Sequence, residues 1–269
     1  FHYGILLDNG NGVALDKEKA AKYLKMAADY GHTNAMNCYS ALLRKGEGVP
    51  VDKEEAIRYL KTSASQGNSD ALNSYGVMVL NGEGVESDKE EAARIYKKAA
   101  DMGNVAAMFN YATMLRKGTE IPADKKEAAR YLKISADKGY LLSMFNYANM
   151  LYNGEGIPMN KKEASVYYQL AADLGHVASM NTYGTMLRKG DGIQCDKKEA
   201  ARYLKKSADL GDSFAMNSYG IMLSEGDGIE IDKKEAARYL KMSADSGNAY
   251  AMFNYGIMLF KGKGVPINK

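Results

Sequence analysis

Cysteine, histidine, long apolar runs and charge of one sign are all scarce in this chain, and each shortage closes off a class of function. The 269 residues hold two cysteines and three histidines. Cys38 and Cys195 fall at different phases of the repeat described below, so no disulfide between them is expected. They are expected to be buried or half-buried free thiols, and nothing points to an oxidising compartment; the expected location is cytoplasmic. His32 and His176 share one phase four repeats apart, and no His/Cys ligand spacing occurs elsewhere, so no metal site is expected. No apolar run approaches the roughly 18 to 20 residues that span a bilayer. With 36 basic and 33 acidic side chains the net charge is +3, too even to mark a nucleic-acid binder on charge alone. There is no secretory segment at the start and no Asn-x-Ser/Thr acceptor, and the opening Phe1, without a methionine, suggests a fragment.

What the chain has instead is a period. The phrase Asp196-Lys197-Lys198-Glu199-Ala200-Ala201-Arg202-Tyr203-Leu204-Lys205 returns 36 residues later as Asp232 to Lys241. Asn160, Asp124, Asp88, Asp52 and Asp16 open versions of it at the same step. No insertion or deletion breaks the phase, and 269 = 7 × 36 + 17, which is seven units and about half of another. A fixed period of this length marks a stacked array of one supersecondary unit, each packing on its neighbours. Residues 1–269 are therefore read as a single repeat array with both ends cut inside a unit.

Within the unit 68–103, Ala71, Tyr75, Met78 and Val79 fall at helical spacing, and Gly82 and Gly84 end that helix. Asp88 with Glu91 three residues on predicts a capping box at the start of a second helix. Six of the seven second helices carry that pair; Asp16 with Lys19 does not. Ala92, Ile95, Tyr96, Ala99 and Ala100 form the apolar stripe, and Gly103 stops the helix. One tyrosine recurs in every unit, from Tyr3 and Tyr39 to Tyr255, always followed by glycine, alanine or serine. Mid-helix glycine costs on the order of 1 kcal/mol relative to alanine, so close approach of the partner helix is expected at Gly4, Gly76, Gly184, Gly220 and Gly256.

Three elements together, the first-helix run Ala251 to Leu259, the loop Gly154-Glu155-Gly156-Ile157 and the Asp-Lys-Lys-Glu-Ala start with its closing Ser/Ala-Ala-Asp-x-Gly, resemble the Sel1-like repeat family, a relative of the tetratricopeptide repeats. The resemblance covers essentially the whole chain. It implies an all-α, right-handed superhelical α/α solenoid of about seven and a half 36-residue helix–turn–helix repeats, with the first helices lining the concave side. Two departures stand out. Glu120 replaces the second loop glycine, so the loop Gly118 to Ala123 is expected to differ locally without changing the stack. The near absence of cysteine separates this chain from the disulfide-stapled bacterial members of the family.

The Gly-x-Gly loops do not read as phosphate loops. They lack a third glycine at the required spacing, follow no strand, and often carry an acid in the middle, as at Glu47, Glu83, Glu155, Asp191 and Asp227. No serine has a visible His/Asp organisation, and the Glu and Lys of the second helices read as a solvated face. No catalytic residue, cofactor or metal is expected.

Counted from the constant tyrosine, offsets −5, −2, +2 and +5 share one face of the first helix and vary from unit to unit. Candidate partner-binding residues on that face are Asn37, Arg44, Asn73, Phe109 and Arg116, followed by Phe145, Tyr152, Asn181 and Arg188. Phe214, Asn217, Tyr250, Phe253 and Phe260 complete the set. Exposed aromatics and arginines are what protein-binding hot spots are made of. Phe109, Phe145 and Tyr152, bordered by Arg116, form one candidate pocket, and Phe214, Tyr250, Phe253 and Phe260 a larger one. Asn37 and Asn73 with Arg44, and Asn181 and Asn217 with Arg188, have the composition with which some tetratricopeptide domains grip a peptide carboxylate. Phe109, Phe145 and Phe253 equally suit packing between neighbouring first helices; Phe214, Tyr250 and Phe260, which alternate with polar residues at the same offset, suit it less.

The sequence thus reads as a non-catalytic scaffold holding a peptide or partner helix on its concave face. RNA binding in the manner of pentatricopeptide repeats is the alternative, and the small net charge and lysine-poor stripe weigh against it. A third reading is the adaptor region of a longer chain with a catalytic domain elsewhere. Apolar ends, with Ile5 and Leu6 at one and Met258 and Leu259 at the other, are expected to favour end-to-end self-association.

Overall fold

Glycine interrupts the apolar periodicity twice in every 36 residues, and each interrupted stretch closes into a helix. The computed structural model describes residues 1–265. In chain order the helices are α1 (His2–Asn9), α2 (Lys17–Asp29), α3 (Thr33–Lys45), α4 (Lys53–Ser65), α5 (Ser69–Asn81), α6 (Lys89–Asp101), α7 (Val105–Lys117) and α8 (Lys125–Asp137). They continue as α9 (Leu141–Asn153), α10 (Lys161–Asp173), α11 (Val177–Lys189), α12 (Lys197–Asp209), α13 (Ser213–Glu225), α14 (Lys233–Asp245) and α15 (Ala249–Lys261). Odd-numbered helices open the repeats and even-numbered ones close them; no strand occurs among the described residues. The chain forms two compact units, Phe1–Lys138 and Gly139–Lys269, and within each unit every helix packs on the next.

Each first helix ends on a left-handed glycine, such as Gly46 at φ 73° or Gly226 at φ 73°. Each second helix begins on Asp or Asn, whose side chain accepts the N–H three residues on, Asp52 from Glu55 at 2.8 Å for example. Asp16, which lacks the downstream glutamate, caps equally well by accepting from Lys19 N–H at 2.9 Å. The reciprocal half of the predicted capping box is replaced. The N–H of the cap residue bonds instead to a carbonyl at the end of the preceding first helix, Asp52 to Leu43 at 3.1 Å and Asp232 to Leu223 at 3.0 Å. That carbonyl is otherwise an orphan of the helix end, so one bond satisfies both groups and ties the hairpin. The glutamate, released, takes the arginine three residues on, as Glu91 does with Arg94 at 2.7 Å.

Caps on the first helices account for two of the histidines. Nδ1 of His32 accepts from Ala35 N–H and Nδ1 of His176 from Ser179 N–H, both at 3.2 Å, where Asn68, Asn104 and Asn248 serve elsewhere. Accepting at Nδ1 requires the neutral ring, and burial holds the His176 pKa below its usual value. A depressed histidine stabilises the fold fully above the unfolded value of about 6.5 and loses that contribution as pH falls through the folded value. His176→Asn should therefore keep the cap, worth about 1 kcal/mol, and flatten the stability decline expected of the parent below about pH 6.5. Urea unfolding at stepped pH checks this; the carboxylates confound it only at more acid pH, below about 4.

The core is a ladder of small and large side chains. Offsets −4 and +3 of every first helix from α3 to α15 are buried, typically Ala below and Met or Leu above. The constant tyrosines meet the second-helix tyrosines edge-on, Tyr39 with Tyr59 at 5.3 Å and Tyr219 with Tyr239 at 5.0 Å. Expected close approach is found at the glycine after that tyrosine, where a Cβ on Gly76 would stand 2.8 Å from Tyr96 Cε1 and one on Gly184 2.9 Å from Leu204 Cγ. It is not found at Gly256, which has nothing within 4 Å because no second helix follows α15 among the described residues.

Contacts that the sequence does not announce join one repeat to the next. Tyr59, Tyr131, Tyr203 and Tyr239 each donate to the aspartate 30 residues earlier, Asp29, Asp101, Asp173 and Asp209, at 2.5–2.6 Å. Buried Ser63, Ser135, Ser207 and Ser243 donate to a first-helix carbonyl at the same separation, Ser63 to Thr33 at 3.0 Å.

Two expectations need correcting. Cys38 is half-buried and its thiol is pushed up by burial, but Cys195 is exposed, because it sits in a loop rather than on a helix face. Of the apolar end residues, Leu6 is exposed and Ile5 and Leu259 are half-buried, but Met258 is only 4% exposed. Offset +3 looks back toward α14, whereas Met252 at offset −3 faces forward and is 51% exposed.

Candidate functional site

Residues at offsets −5, −2, +2 and +5 stay at least partly open in every first helix from α3 to α15, in contrast to the buried −4 and +3 positions. The helix period alone separates these two faces.

In the first unit the polar members of the stripe are engaged with the next repeat. Arg44 forks onto Glu83 with Nε and Nη2 both at 3.0 Å, and Asn73 accepts the Asn110 amide at 2.9 Å. The Asn81 amide and the Arg44 guanidinium hold the Glu83 carboxyl below the usual range. At offset −5, Asn34 and Asp70 accept from the cap residues Asn68 and Asn104. Asn37, Phe109 and Arg116 are half-buried on α3 and α7.

In the second unit the same offsets are more aromatic. Phe145 lies 4.6 Å from the His176 ring and 6.0 Å from the Tyr168 ring, and Tyr152 is 6.4 Å from Tyr168. Tyr152 donates to Asp191 at 2.5 Å, and Lys161 meets the other oxygen at 2.8 Å, so both hold that carboxyl down. Beside them is a pocket of about 330 Å³ lined by Asn149, Tyr152, Tyr168, Asn181, Thr185 and Asp191. Arg188 pairs with Asp227 at 2.7 Å, sharing it with Lys197, and Asn217 accepts the Asn254 amide at 2.9 Å. A recess of about 220 Å³ runs between α13 and α15 past Ile221, Ser224, Asn254 and Ile257. Phe214, Tyr250, Phe253 and Phe260 project into solvent at 60%, 71%, 70% and 65% exposure.

Phe145 and Tyr152 therefore share one aromatic cluster around Tyr168, while Phe109 and Arg116 belong to the other unit. Arg44 and Arg188, with the amide composition of a carboxylate grip, already hold carboxylates of this chain. Those acids lie 39 residues downstream in the Gly-x-Gly loop, as Asp191 does from Tyr152. Where offset +5 is Leu80 or Ser224, the loop position is Thr119 or Lys263, so the pairing was written in the chain as a second period of 39. Asn149 and Thr185, which line the polar pocket, stand at stripe offset +2, whereas Tyr168 was missed by sequence reasoning; it stands where most repeats have leucine. Its hydroxyl donates to Asn149 at 2.6 Å.

Among the described residues no three His, Cys, Asp or Glu side chains gather where they could hold a metal ion, and no helix is long and apolar enough to cross a membrane.

The chain is similar to solved helical-repeat structures. A protective antigen present in uropathogenic Escherichia coli strains, described as displaying an SLR fold, superposes with a TM-score of 0.77 at 25% identity over 99% of this chain. The chain spans 65% of that protein, just under two thirds of its length. A Sel1 repeat protein from Oxalobacter formigenes gives 0.76 at 25% identity, over 96% of this chain and 75% of that one. No curated protein matches. The Sel1 repeat family matches residues 1–32, 34–68, 69–104, 105–140, 141–176, 177–212, 213–248 and 249–269, the first seven segments each covering one helical hairpin and the last covering α15. With nearly every residue inside such a match and fifteen helices among the described residues in the corresponding places, the chain belongs to the Sel1 repeat family.

Proposed function

We propose that the chain is a non-catalytic protein-binding scaffold whose second unit takes a peptide or partner helix along the open stripe of its first helices. The observation that carries this reading is the set of four large aromatics left in solvent, Phe214, Tyr250, Phe253 and Phe260, all at stripe offsets on α13 and α15. Exposed aromatics clustered on one face mark an interaction surface, and a helix or strand laid across them would anchor two or three of its own side chains. The polar pocket at Tyr152 and Asn181 would fix register by hydrogen bonds. Two unpaired thiols fit a reducing compartment such as the cytoplasm.

The test is quantitative affinity capture with the parent chain and a Phe214→Ala/Tyr250→Ala/Phe253→Ala variant. Because these side chains are exposed, the variant should unfold at the same denaturant concentration as the parent. Partners held by the stripe should fall at least tenfold in yield, the effect of losing one hot spot of about 2 kcal/mol. An unchanged partner set from a folded variant would remove the stripe as the binding surface.

A further inference from the structure

The Gly-x-Gly loops have a structural job at their second glycine, and one loop does not do it. Gly84 at φ 76° lies so close to the start of α4 that a Cβ would stand 2.8 Å from Lys53 Cβ and 3.1 Å from its carbonyl carbon. Gly192 and Gly228 press in the same way on Lys161 and Lys197. The corresponding residue of the fourth loop is Glu120, which has both a Cβ and a negative φ, since no non-glycine among the described residues has a positive one. The loop therefore cannot close on Lys89. It takes a different path from Gly118 and rejoins the common register at Asp124, whose N–H bonds to Leu115 O at 3.0 Å.

Two adjoining recesses lie beside this loop. One, of about 390 Å³, has an apolar floor of Ala93, Tyr111, Leu115, Ile121 and Pro122. The other, of about 660 Å³, lies against the start of α6 and carries Glu86, Asp88 and Lys89. Glu90 and Glu120 line both, at the junction. Two cations also border the apolar recess, but Arg94 is taken by Glu91 at 2.7 Å and Lys97 by Asp101 at 2.8 Å. The charge balance left for a ligand is negative. None of these lining residues is at a stripe offset, so the site is separate from the aromatic surface of α13 and α15.

We propose that the opened Glu120 loop is a second binding site, for a basic peptide segment that places an aliphatic or aromatic side chain next to a lysine or arginine. The apolar side chain enters over Ile121 and Pro122, and the cation meets Glu90 and Glu120 at the junction. A lysine or arginine stem is itself apolar, so it follows the floor while its head reaches the carboxylates. A recess of about 490 Å³ lies at the same phase of the eighth loop, lined by Ala237, Tyr255, Gly264 and Val265, but it has Lys234 and Gly264 where this one has Glu90 and Glu120, so the acidic junction sets this site apart. It does not depend on the stripe reading of the second unit.

The probe is the peptide Ac-Leu-Arg-Leu-Lys-NH2, titrated into the isotope-labelled chain and followed by amide chemical shifts, with Ac-Leu-Glu-Leu-Glu-NH2 as the control. The basic peptide should give saturable shifts at Ala93, Tyr111, Leu115 and Ile121, and the acidic one none. Glu120→Gln keeps the recess and should weaken binding about five-fold, the usual scale for one partly exposed charge pair. Glu90→Lys/Glu120→Gly, the pair of residues found at this phase in the eighth loop, keeps the apolar floor and should abolish saturation by the basic peptide. No saturation by millimolar peptide, equal binding by Glu120→Gln or by Glu90→Lys/Glu120→Gly, or shifts confined to α13 and α15 would each overturn the proposal.

Discussion

Replacing Tyr203 by alanine is expected to cost about 3 to 5 kcal/mol, the range for emptying a buried aromatic site. The side chain is 2% exposed, meets Tyr183 edge-on at 4.9 Å, lies under the Arg202 guanidinium at 4.2 Å and donates to Asp173 at 2.6 Å. It thus touches α10, α11 and α12 together, and its loss loosens a junction between repeats as well as the interior of one. Tyr203→Phe keeps the ring and removes only the hydrogen bond, for which about 1 to 1.5 kcal/mol is expected. Burial, then the bond to Asp173, pushes the phenol up to about 12, so it remains a donor throughout the working pH range. Because stability in an array is a sum of local and neighbour terms, the alanine variant should unfold in two steps, with hydrogen exchange accelerated first in α11 and α12. A single transition at the parent's midpoint would show that the tyrosine–aspartate contact does not couple the repeats.

Gly220→Val should lower stability by about 3 kcal/mol, while the same change at Gly256 should alter it by less than about 0.5 kcal/mol. Both glycines follow the constant tyrosine and share helical geometry. A Cβ on Gly220 would stand 2.8 Å from Leu240 Cγ and 3.2 Å from the Ala236 carbonyl oxygen, and the second of these is helix backbone that cannot step aside. At Gly256 nothing lies within 4 Å. Ala112 and Ala148, both fully buried at the same phase, show that one methyl fits where the neighbouring hairpin is spaced for it. Valine adds two more carbons, which have nowhere to go. Equal stability changes at the two sites, measured by denaturant unfolding, would mean that close helix approach is not what keeps this position small.

Some of this architecture was legible because it is governed inside 36 residues. The helix starts at Asp88 and Asp196, the glycine stops, and the division between buried and open faces follow from spacing along a single helix, where period decides orientation. Even there the glutamate of the capping box was assigned the wrong partner. The cap N–H of Asp52 or Asp232 has a nearer carbonyl at the end of the preceding helix, and only the folded hairpin brings it close. The loop at Glu120 was expected to differ, but the recess beside it is formed only by α6 and α7 lying against that loop.

By itself the sequence determined the family, the helix count per repeat and which offsets stay open to solvent. The tertiary structure decided which polar groups on that open face are already taken. Arg44, Asn73, Arg188 and Asn217 are held by partners 37 or 39 residues away, whereas Phe214, Tyr250, Phe253 and Phe260 are left in solvent. The reason is geometric: helical period fixes where a side chain points, but whether it meets a neighbour depends on the offset between adjacent hairpins, which arises only when they pack.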